Sequence, residues 1–262
     1  MNVVDYNTLL LTKNDCYKSN RKMKPKGIVV HSTGVNNPEL RRYLGPDDGR
    51  IGKNQYGNHW NQSGITKCVH AFIGKDKKGS VCTYQTLPLN ICSWGVGSGS
   101  KGSYNYNPGY LQFEILEDGL KDKNYFNKVM KEAQELCARW CKEFNIPIDK
   151  VISHKEAHKQ GYGSNHKDCD HWLSKFGKDM NWFRSEVKKL MNKTINVGDK
   201  VKIKSGVTSY YDGKKMASWV KNATLYVRKK EVKNGVNVYL ISTNKLLPIY
   251  TGRVKTSDVD KV

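Results

Sequence analysis

Apolar positions follow two rhythms in this chain. Between residues 27 and 153, short apolar runs predict strands at Gly27–His31, Val69–Ile73, Val81–Tyr84, Tyr110–Leu116 and Val151–Ser153. The second and third are joined by a polar, glycine-containing stretch and read as a hairpin with a long turn. Phe126, Val129, Met130, Ala133, Leu136, Cys137, Trp140, Cys141 and Phe144 recur at i, i+3, i+4, i+7. That spacing predicts a surface helix with one buried stripe, and Asp122 stands where its N-cap belongs. A second helix is predicted from about Asp179 to Met191, with Phe183, Val187 and Leu190 inward.

The texture changes after a polar link, Asn192-Lys193-Thr194. Val197–Ile203, Ala223–Val227 and Val236–Ile241 alternate with period two. Ser205-Gly206, Asp212-Gly213 and Asn234-Gly235 punctuate them, and Asn-Gly between alternating strands is a strong hairpin signal. The pattern predicts an α/β domain over residues 1–192 and a small all-β barrel over 195–262.

Charge bears on partners rather than on fold. The chain of 262 residues carries 45 Lys and Arg against 24 Asp and Glu, a net charge of +21. The excess is spread along the chain with no long basic tail, so a disordered nucleic-acid arm is not indicated. The expected partner is a polyanion: nucleic acid, an anionic membrane or an anionic cell wall. Seven cysteines (Cys16, Cys68, Cys82, Cys92, Cys137, Cys141, Cys169) form no CxxC pair, so no disulfide framework is expected. Cys137 and Cys141 lie four apart on the helix stripe and read as core. The N-terminal residues carry no signal-peptide pattern, and no apolar run is long enough to span a membrane. Synthesis and folding in a reducing cytoplasm are therefore expected.

The candidate chemistry lies at strand ends. His31 and His154 each follow a short apolar run, and Asp168-Cys169 follows a histidine-rich loop. Two histidines with one carboxylate or thiolate leave an open position in a tetrahedral zinc site, the catalytic arrangement. His154, His158, His166 and His171 crowd into Ser153–Trp172 with Asp168, Cys169 and Asp170. The run His154-Lys155-Glu156-Ala157-His158 looks like a helical zinc-protease motif, but that motif needs Glu directly after the first His, so it is disfavoured. Glu114, flanked by Phe113 and Ile115, is the candidate for handling protons, since a carboxylate inside an apolar strand is costly unless paired or functional.

These segments, taken in order, resemble the type-2 N-acetylmuramoyl-L-alanine amidases, a family that includes phage endolysins and the animal peptidoglycan recognition proteins. The resemblance covers about residues 24–190. It rests on His31-Ser32-Thr33-Gly34, Val69–Asp76, Cys92-Ser93-Trp94, Gln112-Phe113-Glu114, His154, and Asn165–Trp172. It implies a mixed central sheet flanked by helices. It further implies zinc held by His31, His154 and a third residue, with Glu114 assisting water in attack on the amide between muramic acid and L-alanine. For the third ligand, Asp168 with His166 stabilising the oxyanion is chosen over Cys169 with Lys167. The chain departs from the family pattern in lacking a proline after the ligand and in carrying Gly95 where a His is common after Trp94. The resemblance also implies a bacterial SH3-like, wall-binding role for residues 195–262. Tyr210, Tyr211, Trp219, Tyr226, Tyr239 and Tyr250, with many lysines, would suit glycan stacking and attraction to anionic wall polymers. The expected setting is phage or prophage lysis of a Gram-positive host, with peptidoglycan as substrate, no specific nucleic acid and no membrane span. A zinc-dependent nuclease and a non-catalytic wall-binding module are the alternatives.

Overall fold

The computed structural model describes residues 5–192, 195–245 and 250–262, so Lys193 and Thr194 of the link lie outside the described residues. The chain divides into two compact units that part at Met191/Asn192.

The first unit is built on a mixed six-stranded sheet. Its strands are β1 (Tyr6–Thr8), β2 (Gly27–Ser32), β3 (Ala71–Lys75), β4 (Val81–Gln85), β5 (Tyr110–Ile115) and β6 (Val151–Ser153), in the order β1-β4-β3-β5-β2-β6. Only β3 and β4 pair antiparallel, as the predicted hairpin. The other pairs are parallel. The strands β2 and β5 sit side by side near the middle and are buried along nearly their whole length, as a sheet covered on both faces requires.

Period two sorts each central strand between the faces. Ile28 and Val30 of β2, with Leu111, Phe113 and Ile115 of β5, pack into the large core under the long helix α2 (Lys123–Phe144). The apolar stripe of α2 closes that core through Phe126, Val129, Met130, Ala133, Leu136, Cys137, Trp140 and Cys141. Asp122 caps α2, its carboxylate accepting from the Asn124 and Tyr125 amides. The intervening residues Val29 and His31, Gln112 and Glu114, are left for the opposite face. Val29 packs there with Val96, Tyr104, Tyr110 and Ile152.

Where β6 ends, the chain turns directly into α3 (His154–Gln160). Ser153 caps it, and Glu156 completes a capping box by accepting from the Ser153 amide. His154, directly after the strand, is thus the first residue of a helix, as the Ser-x-x-Glu signature explains. Helices α4 (Asp170–Lys175) and α5 (Met180–Asn192) follow, adding Trp172, Leu173, Met180, Phe183 and Val187 to the large core. The pattern did not predict α3 or α4, nor β1, a three-residue strand at a sheet edge, nor the short helix α1 (Asp15–Ser19). The expectation of no disulfide is corrected: Cys16 of α1 is bonded to Cys68. The two are 52 residues apart and only tertiary packing brings them together, so local spacing could not show it. The other five cysteines are free and buried.

The second unit is a five-stranded antiparallel sheet in the order β10-β9-β8-β7-β11. Its strands are β7 (Lys200–Ile203), β8 (Leu225–Lys233), β9 (Val236–Ser242), β10 (Gly252–Lys255) and β11 (Val259–Lys261). Val201, Leu225, Val227, Ile241, Val254 and Val259 form its core, with Val220 from a short helix, α6 (Ser218–Asn222). Asn234 and Gly235 both take left-handed backbone angles in the two-residue turn between β8 and β9, as a type I′ hairpin requires. The first strand here starts at Lys200 rather than Val197, because Gly198 at φ +90° interrupts the extended chain. Tyr239 belongs to the core, whereas Trp219 and Tyr250 are exposed.

Trp140 is fully buried between α2 and the sheet. We expect Trp140→Ala to destabilise the first unit by about 3–5 kcal/mol in denaturant unfolding followed by circular dichroism. A loss below about 1 kcal/mol would mean that this stripe is not what seals the sheet.

Candidate metal centre

His31 leaves the sheet on the face away from α2, one residue before β2 ends. Its parallel neighbour in register is Glu114 of β5. Two residues earlier on that face of β5 stands Gln112, whose Oε1 lies 3.1 Å from His31 Nε2. An amide oxygen only accepts, so Nε2 carries the ring proton and Nδ1 presents a lone pair. His154 enters from the start of α3. Its Nε2 lies 3.2 Å from Ser164 Oγ, whose own O–H has the Val96 carbonyl at 3.2 Å as acceptor. That leaves the His154 proton on Nε2 and its Nδ1 free.

The two Nδ1 atoms are 3.1 Å apart. Asp168 completes the group, with Oδ2 3.2 Å from His31 Nδ1 and Oδ1 3.4 Å from His154 Nδ1. Among the described residues, these three are the cluster of metal-competent side chains whose ligand atoms lie within 4.8 Å of one another. Three electron-rich atoms at such distances repel unless something positive lies between them. Donors at about 2.0–2.1 Å on a tetrahedral ion stand roughly 3.3 Å from each other, so the observed edges fit an ion of zinc's size. Protonation states agree. Burial pushes His154 below its ordinary value and keeps it neutral. Burial works against ionising Asp168, but its closeness to His154 and His31 outweighs it and holds the carboxyl well below the usual range.

The residues behind the imidazoles carried no motif in the sequence, yet they form one closed chain of hydrogen bonds. Gln112 Nε2 donates to Asn105 Oδ1 at 2.8 Å. The same oxygen accepts from the Val96 amide at 3.2 Å, and the Val96 carbonyl faces Ser164. Val96 thereby links the support of His31 to the support of His154. Such outer partners fix the tautomer and the aim of each ring. Gly95 has a physical reason in this network: a Cβ there would fall 2.6 Å from Gln112 Oε1. The one available signal was alternation, since Gln112 shares its strand face with Glu114.

The structure brings the other candidates to different distances. Glu114 points to the same face as His31; burial raises its carboxyl well above the ordinary value, with the charges of Asp168 and Glu117 acting the same way. Its Oε2 is sealed from solvent without a hydrogen-bond partner. His166 is exposed at the mouth, its ring 4.6 Å from that of His154 and its Nδ1 2.9 Å from Ser164 Oγ. Cys169 is turned the opposite way from Asp168. Its thiol is pushed up by burial and packs at 3.9 Å from Met180 Sδ in the large core. Lys167 is exposed. Of the remaining histidines in the crowded loop, His158 contacts the Gly163 carbonyl and His171 pairs with the buried Glu117 at 3.0 Å. Glu156 is bound into the α3 cap and an ion pair with Arg184, away from the cluster.

Comparison with known proteins agrees with the geometry. The Amidase_2 family, described as N-acetylmuramoyl-L-alanine amidase, matches residues 21–172, a span that holds all three cluster residues. Over 91 residues the chain is 35% identical to N-acetylmuramoyl-L-alanine amidase CwlH of Bacillus subtilis (strain 168), covering 35% of this chain and 34% of that protein. The match thus spans about a third of that relative's length. The crystal structure of Staphylococcus aureus hydrolase AmiA in complex with its ligand superposes with a TM-score of 0.50 at 18% identity, covering 73% of this chain and 85% of that one. This last likeness concerns the fold alone. No helix among the described residues is long and apolar enough to cross a membrane.

Metal analysis of variants tests the cluster. Asp168→Ala is expected to lose bound zinc, while Cys169→Ala keeps it and loses only packing stability. Gln112→Leu is expected to weaken zinc binding about 10–100-fold by releasing the His31 ring. Full zinc content in Asp168→Ala would remove the carboxylate from the centre.

Proposed function

Since the chain belongs to the N-acetylmuramoyl-L-alanine amidase family Amidase_2, we propose that it hydrolyses the amide between N-acetylmuramic acid and L-alanine in peptidoglycan, using zinc. The observation that carries this reading is the convergence of His31, His154 and Asp168 beside Glu114 on one face of the sheet. Zinc held by the three residues supplies Lewis acidity toward the scissile carbonyl and its attacking water.

The chain's own residues do the rest. Gln112 and Ser164 hold the two imidazoles with their Nδ1 atoms inward, so the donor set is formed before any ligand arrives. Glu114 takes the proton of the attacking water at its unpartnered carboxyl oxygen and returns it to the departing amide nitrogen. Its apolar surroundings hold its basicity above that of an ordinary carboxylate. His166, at the open side, donates a hydrogen bond to the oxygen on which negative charge develops.

The second unit is read as an SH3-like wall-binding module. Its five antiparallel strands, the exposed Trp219 and Tyr250, and 14 Lys and Arg against 5 Asp and Glu from residue 195 onward support that reading. The proposed setting is lysis of a Gram-positive host by a phage or prophage enzyme that passes from the host cytoplasm to the wall.

Purified peptidoglycan is expected to clear with the appearance of free L-alanine amino termini, and His31→Ala is expected to abolish both. Plasmid nicking without clearing would favour a nuclease instead. Glu114→Gln is expected to retain zinc and lose about 10²–10⁴ in kcat/KM. The ionised form of Glu114 exists above its raised value and disappears as pH falls through it. The acid limb of the rate profile is therefore expected above the ordinary carboxylate value of 4.5 and absent in Glu114→Gln. Unchanged kcat/KM in that variant would take Glu114 out of the reaction. Trp219→Ala is expected to reduce pelleting with intact walls while leaving hydrolysis of a soluble muropeptide unchanged; equal pelleting would separate the second unit from wall binding.

A further inference from the structure

Building on the reading of the chain as a wall enzyme, we propose that a basic, tyrosine-walled cavity at the strand-starting end of the six-stranded sheet binds a phosphodiester-linked polyol or glycan chain. The cavity has a volume of about 720 Å3. It is separate from the metal centre. Lys26, on its rim, precedes the first residue of β2, and His31 lies five residues further along that strand, roughly 16 Å at the usual rise per residue.

Strand register assembles the cavity. In the parallel order β5-β2-β6, Gly27 pairs with Tyr110 and Ile28 with Val151. The residues that lead into these strands, Lys26 and Lys150, therefore stand side by side at one edge, joined by Lys24. Lysines are the charged residues among those lining the cavity, and no carboxylate lines it. Lys150 pairs with the exposed Asp149 at 3.5 Å. The wall is a stack of three rings, with Tyr104 at 4.0 Å from Tyr110 and 4.7 Å from Tyr162. Gly27 permits this stack, because a Cβ there would fall 2.3 Å from the Tyr110 ring. Tyr104 donates to Gln160 Oε1 at 2.5 Å, which fixes the middle ring. Tyr162 is half-buried and is the ring of the stack most open to solvent.

Charge and shape together select the ligand class. Three ammonium groups around an apolar, aromatic floor ask for spaced single negative charges joined by carbon-rich, hydroxylated links. A phosphodiester-linked polyol or sugar chain has that pattern. It is flexible enough to enter a concave site, whereas a nucleic-acid duplex is rigid and presents its phosphates on a convex surface. Bound here, such a polymer would hold the enzyme on the wall while leaving the metal face free.

The test uses the full-length protein and a phosphodiester-linked glycerol phosphate oligomer, titrated by calorimetry. The triple variant Lys24→Gln, Lys26→Gln, Lys150→Gln is expected to bind the oligomer at least tenfold more weakly. Tyr162→Ala is expected to weaken it several-fold and Tyr162→Phe to restore it, since the ring and not the hydroxyl is needed. Soluble muropeptide hydrolysis by these variants is expected within twofold of the parent. Unchanged affinity in the triple variant would overturn the proposal and leave the polymer to other lysines of the chain. Equal lysine-dependent binding of duplex DNA, or of inorganic phosphate alone, would overturn the ligand class. If the parent protein fails to cleave muropeptide but still binds the oligomer through these lysines, the amidase reading fails and the cavity assignment stands.

Discussion

His31 Nδ1, His154 Nδ1 and the Asp168 carboxylate meet at 3.1–3.4 Å with the ring protons placed elsewhere, an arrangement that suits a positive charge between them. Mutual repulsion of three electron-rich atoms in a buried setting would otherwise spread them, because low local polarity magnifies it. The surrounding protein opposes that spreading through the hydrogen-bonded chain from Gln112 through Asn105 and Val96 to Ser164. Each member has its partners within the protein, which is what allows a polar network to be stiff in a buried place.

The sheet makes this arrangement reachable. Alternation on β2 and β5 divides labour between the two faces without any change of backbone. One set of side chains is committed to the core under α2, and the other set, Gln112, Glu114 and His31, is presented together because the strands are parallel and in register. The same register, read at the opposite end of the same strands, places Lys26 and Lys150 beside Tyr110. One sheet thus carries chemistry at its strand ends and a charged aromatic cavity at its strand starts.

Adjacent residues of the loop before α4 show how finely burial decides surroundings. Asp168 faces the imidazoles, while Cys169 enters the core beside Met180 with its thiol kept protonated. Both residue types are competent metal ligands in solution; orientation alone separates them. Glu156 is a parallel case, a carboxylate near His154 in sequence that is consumed by the α3 cap and Arg184.

Local pattern in the sequence determined the elements whose stability is local or periodic. The stripe and cap of α2, the strands β2, β4, β5 and β6, and the Asn234-Gly235 hairpin are legible because side-chain period and turn conformation act over a few residues. The ordered His31, Glu114 and His154 segments stood out as candidates for chemistry because apolar runs rarely end in or enclose such groups. Tertiary structure alone decided the rest. It bonded Cys16 to Cys68 across 52 residues, turned Asp168 toward the histidines, and recruited Gln112, Asn105 and Ser164 as supports. These depend on contacts between distant segments, and a linear pattern holds no record of which face meets which.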